Sequence, residues 1–114
     1  MEIMNCSKSG QMKNPHGIKA SKLYDSEFAE IIHIQFNPGD SLVKHITPVD
    51  VVFYVLEGEA TITIGDEIET VSADNLVKSP KRVSHNISNQ SDALVRVMVI
   101  KLPKPTEATI IIKE

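Results

Sequence analysis

Between Asn37 and Pro105 the chain is interrupted at short intervals by turn formers, among them Asn37-Pro38-Gly39, Glu57-Gly58, Gly65-Asp66, Pro80 and Pro103. No helical hydrophobic period lasts beyond about two turns, and short strands with turn signals roughly every 8 to 12 residues are the pattern of all-β sandwiches and barrels. The spacing predicts strands over 27–36, 51–56, 59–64, 67–72, 76–78, 83–87 and 93–102, the third and fourth forming a hairpin across Gly65-Asp66. The last of these, ALVRVMVIKL, is too β-branched for a helix of its length and ends at Pro103 and Pro105. A final apolar run, 109–112, either closes the barrel's own sheet or extends into a second subunit. Residues 1–22 carry scattered Ser, Lys, Asn, Gly and Pro without sustained periodicity and read as an irregular arm, leaving 23–114 as the barrel domain.

A chain of 114 residues builds one core and is too short for two. Its formal charge of -3 argues against a nucleic-acid partner. The single cysteine, Cys6, cannot form an internal disulfide and lies in a polar segment without a neighbouring histidine, so it reads as an incidental thiol. No long apolar run near the start suits a signal peptide or a membrane span, and the expectation is a cytoplasmic protein with no membrane partner.

Two segments carry the chemistry. In PGDSLVKHITPVDVVFYVLEG, residues 38–58, Gly39, His45 and Gly58 stand at the spacing G-x5-H-x-H-x3-E-x6-G, with Thr47 at the second histidine position and Val51 at the glutamate. Further on, Pro80, His85 and Asn89 follow P-x-G-x2-H-x3-N, with Asp74 and Arg82 where glycines would fall. Together these runs resemble the two motifs of the cupins, and the resemblance covers about residues 25–103. It implies a jelly-roll β-barrel in which His45 and His85 are the retained members of a four-ligand metal site.

Imidazole suits zinc, iron, copper and nickel, and the candidate ions are these or manganese, but such ions usually take three or four protein ligands. Asp50, one residue before the lost glutamate, is a candidate third ligand; regular strand alternation points it away from the face of Val51, and only an irregular strand start beside Pro48 would turn it inward. His33 is the reserve, weighed against a packing role, and His16 in the arm ranks below it. Thr47 and Phe53 are expected to face the barrel interior as ligand-binding residues. Arg82, with Lys44, Lys78 and Lys81, could meet an anionic ligand at the barrel mouth or could simply be a solvated loop charge. Asn89 reads as a structural amide that ties a turn.

Three functions follow. The first is a small-molecule-binding domain with a weak or atypical divalent-metal site. The second is a metal-dependent enzyme of oxygenase or isomerase type on a small polar or anionic substrate, and the third is a structural or regulatory subunit. The resemblance also implies a homodimer.

Overall fold

The computed structural model describes residues 1–13 and 17–112, so His16 lies outside the described residues. Eleven strands are present among them: β1 (Gln11–Met12), β2 (Lys19–Asp25), β3 (Glu30–Phe36), β4 (His45–Ile46), β5 (Asp50–Glu57), β6 (Glu59–Ile64), β7 (Glu67–Ser72), β8 (Leu76–Ser79), β9 (Ser84–Ser88), β10 (Val95–Leu102) and β11 (Ile110–Ile111). None of the described residues is helical, and no helix is long and apolar enough to cross a membrane.

The strands form two antiparallel sheets, one ordered β1-β2-β3-β10-β5-β8 and the other β11-β4-β9-β6-β7. The result is a jelly-roll barrel. Strict alternation drives the layering: Val95, Val97 and Val99 of β10 meet Phe36, Ile34 and Ile32 of β3 on one flank, and Val97 and Val99 meet Val55 and Phe53 of β5 on the other. All of these side chains are buried, and with Ile62 and Ile87 from the facing sheet they make the core.

The chain passes from one sheet to the other at Gly58, whose φ is +78°. A Cβ there would run into the carbonyl oxygen of Leu94, so both conformation and space require glycine. Asp74 and Arg82, which stand where the motif has glycines, have φ of 69° and 64°. The backbone has kept the left-handed turns although the residues have changed.

Two expectations need correction. The arm expected over 1–22 contains β1, and the boundary at residue 22 falls inside β2. Alternation in KASKLYD is broken by an irregularity between Lys22 and Tyr24, and this hid the strand. The strand expected from Glu27 starts at Glu30, because Ser26–Ala29 form a turn closed by the Ser26 amide donating to the Ala29 carbonyl at 3.0 Å. Of the two alternatives for the final apolar run, the first is seen: β11 pairs with β4 at the edge of the chain's own sheet.

Candidate functional site

The two sequence motifs meet in space through backbone pairing. His45 of β4 lies directly opposite His85 of β9. At the other end of the same segments, Gly39 donates to the Asn89 carbonyl and Asn89 donates to the Asp40 carbonyl, both at 2.9 Å. The Asn89 side chain is buried and donates to the carbonyls of Phe36 (3.1 Å) and Ala93 (2.7 Å), the turn-tying role expected of it.

The imidazoles of His45 and His85 stand edge to face, with Nε2 atoms 3.0 Å apart. Their tautomers follow from their partners. His45 Nδ1 lies 2.8 Å from the Val43 carbonyl oxygen, which only accepts, so Nδ1 carries the proton and Nε2 presents a lone pair. His85 must then donate from Nε2, sharing that proton with Thr47 Oγ1 at 3.3 Å, and its Nδ1 accepts from the Ser79 hydroxyl at 2.7 Å. The chain of hydrogen bonds runs Ser79 to His85 to His45 to Val43, every ring nitrogen used.

This order requires both rings to be neutral, and burial makes them so. Desolvation, followed by the repulsion a protonated His45 would exert and by the charge of Lys101, pulls the pKa of His85 down to about 3. His45 is also lowered, mainly by burial and further by Lys101, against the opposing hydrogen bond to Val43.

The other predicted residues fall in different places. Thr47 is buried with its hydroxyl against His85, and Phe53, also buried, sets its ring edge to face with His85 at 5.2 Å. Asp50 is exposed at the start of β5 and accepts the Lys81 amide at 2.9 Å, so it turns away from the histidines as regular alternation dictates. His33 belongs to the outer face of its sheet, opposite Ser21 and Met98, and accepts from Arg96 Nε at 3.1 Å. Arg82 ties its amide to the Thr47 carbonyl, but its exposed guanidinium points to Glu107, 3.8 Å away.

No cluster of three or more His, Cys, Asp or Glu able to hold a metal occurs among the described residues. Two convergent imidazoles fill two positions of a divalent ion, short of the three or four protein donors that retain one. The donor set therefore does not fit a tightly held resident metal.

Beside the histidine pair lies a cavity of about 270 Å³. Ala20, Ile32, Ile34, Leu42, Phe53 and Val99 line its apolar wall, while His45, Lys101, Lys13 and Thr109 supply its polar groups. Sequence reasoning missed Ser79 and Lys101. Both were signalled by period two: Ser79 follows Val77 on the inward face of β8, and Lys101 follows Val95, Val97 and Val99 on that of β10.

Residues 32–101 match the cupin domain family. An uncharacterised protein of Methanocaldococcus jannaschii is 31% identical over 85 residues, which span 74% of this chain and 73% of that protein. Its crystal structure, described as an RmlC-like cupin family protein with a double-stranded β-helix fold, has a TM-score of 0.73 at 26% identity, covering 83% of this chain and 90% of that one. The polyketide cyclase RemF of Streptomyces resistomycificus has a TM-score of 0.83 at 16% identity, over all of this chain and 87% of its own. A predicted oxalate decarboxylase of Thermotoga maritima has a TM-score of 0.78 at 17% identity, over 90% of this chain and 99% of its own. At the identities of these last two, the likeness is one of fold.

Proposed function

The chain belongs to the cupin family, and we propose that it is a small-molecule-binding cupin whose barrel takes its ligand without a tightly held metal. The observation that carries this reading is the apolar cavity of about 270 Å³, lined by His45 of a histidine pair whose hydrogen bonds are already satisfied. Its volume is close to the lower end for small-molecule pockets. A cavity of this kind leaves room for a ligand that side-chain packing alone would have filled.

The 3.0 Å separation of the two Nε2 atoms supports one addition, a weak divalent-metal site completed by water or ligand. Binding there requires His85 to move its proton from Nε2 to Nδ1, where Ser79 can accept it. Untagged protein grown with iron, manganese, nickel, copper and zinc should therefore carry well under one metal per chain by mass spectrometry. A His45→Ala/His85→Ala double variant should differ little. Near one metal per chain in the parent, abolished in the variant, would replace this reading with a metal-dependent enzyme.

Self-association belongs to the same proposal. Across the outer face of the six-stranded sheet run two rows of partnered residues, Leu76-Tyr54-Met98 and Val52-Ile100-Ile31-Tyr24, with Leu76 and Tyr24 among the exposed large apolar side chains. Contiguous apolar surface of this kind marks an interface. Light scattering on a sizing column should give a dimer that Ile100→Glu converts to a monomer. A monomeric parent at about 100 μM sinks the dimer.

A further inference from the structure

We propose that the cavity selects a compact apolar molecule bearing one negative charge, a monocarboxylate, whose carboxylate pairs with Lys101; the inference rests on the small-molecule reading above. Lys101 ends an alternating chain of charges. Lys104 Nζ lies 2.7 Å from Asp25, Asp25 lies 3.7 Å from Lys22, Lys22 lies 3.3 Å from Glu30, and Glu30 lies 3.4 Å from Lys101. Three lysines less two carboxylates leave one positive charge. That excess reaches the cavity wall through Lys101, whose side chain is only 18% exposed, beside a Glu30 side chain that is 8% exposed and shared with Lys22.

The remaining cavity groups set the rest of the selection. Both nitrogens of His45 are engaged, one with Val43 and one with His85, so the ring offers no uncommitted donor to a ligand. Lys13, at the exposed rim, is screened by water and serves for attraction more than for fixing a pose. Thr109 adds one neutral hydroxyl, and the wall is otherwise hydrocarbon, with Ile32, Ile34, Phe53 and Val99 facing the space. A cation would meet Lys101 unfavourably. A dianion would bring a second charge into apolar surroundings with no second buried partner, and a neutral ligand would desolvate Lys101 without answering its charge. One carboxylate balances the site. The space corresponds to about nine water molecules, which limits the body to a single ring or a short branched chain.

The test is titration of the full chain, followed through the methyl resonances of Ile32, Ile34 and Val99, with two matched pairs: benzoate and benzamide, then 4-methylpentanoate and 4-methylpentanamide. The inference expects at least one acid to shift these methyls and to bind at least tenfold more tightly than its amide. That preference should weaken with added salt, vanish in Lys101→Met and survive in Lys101→Arg. The acid-to-amide comparison needs only the parent protein, so a variant that fails to fold leaves the inference exposed to refutation. Acids and amides binding equally well would overturn the anion assignment while the cavity reading stands. An acid preference unchanged in Lys101→Met would overturn the role of Lys101. If neither acids nor amides shift the cavity methyls at millimolar concentration, the inference falls together with the small-molecule reading.

Discussion

Replacing Phe53 by alanine is expected to destabilise the fold by about 3–5 kcal/mol, the usual cost of truncating a fully buried aromatic. Phe53 is 1% exposed and sits on β5 between Val99 of β10 and Val77 of β8. It also packs edge to face on His85 and walls the cavity. Removing the ring therefore loses apolar burial, an aromatic contact and part of the support that orients the histidine pair. The space left would merge with an existing void, so collapse of neighbours can recover little of the loss. Against a total stability of about 5–15 kcal/mol for a domain of this kind, the variant would sit near its unfolding threshold. Urea unfolding would show a much lower midpoint with an unchanged slope. A loss below about 1 kcal/mol would mean that Phe53 is dispensable to packing and that the cavity wall is built otherwise.

The parts of this molecule that were legible in sequence are those governed by local alternation. Glu59–Ile64 and Glu67–Ser72 have the predicted bounds because period two and a Gly-Asp turn lie within one short stretch. Asp50 follows the same rule: alternation points it outward, no irregularity rotates it, and the Lys81 amide holds it there. His33 likewise obeys its parity, and Arg96 satisfies it on the outer face. What escaped were features whose cause lies far along the chain. The two-residue strand β4 exists because β9 and β11 flank it, and nothing within His45–Ile46 announces that. The hydroxyl of Ser79 gains its meaning only from His85 across the barrel, although its inward parity was readable. Lys101 reaches the cavity from the end of β10 and Lys13 from its rim, while Lys44, Lys78, Lys81 and Arg82, near the motif positions, are absent from the lining.

Acid should destabilise the protein well before the carboxylates titrate. His85 is 2% exposed and its pKa in the fold is about 3, against an ordinary 6.5. As pH falls below 6.5 the unfolded chain takes up a proton that the folded ring refuses, and stability drops by about 1.4 kcal/mol per pH unit until the folded ring itself titrates. The contribution is fully present above pH 6.5, reduced by about 2 kcal/mol at pH 5 and by about 3 kcal/mol at pH 4. His45 and His33 are also lowered by burial and act in the same direction. Protonation would also break the order of the site, since a charged His85 must donate from both nitrogens and can no longer accept from Ser79. Urea unfolding at intervals from pH 7.5 to 4 measures the slope. The His85→Gln variant separates this ring from every other group: it should be less stable at pH 7, yet lose stability less steeply over pH 6.5 to 4, by about 1.4 kcal/mol per unit. Parallel slopes in parent and variant would mean that His85 takes up its proton in the fold almost as readily as in the unfolded chain. The neutral, directional hydrogen-bond chain from Ser79 to Val43 would then have to be abandoned.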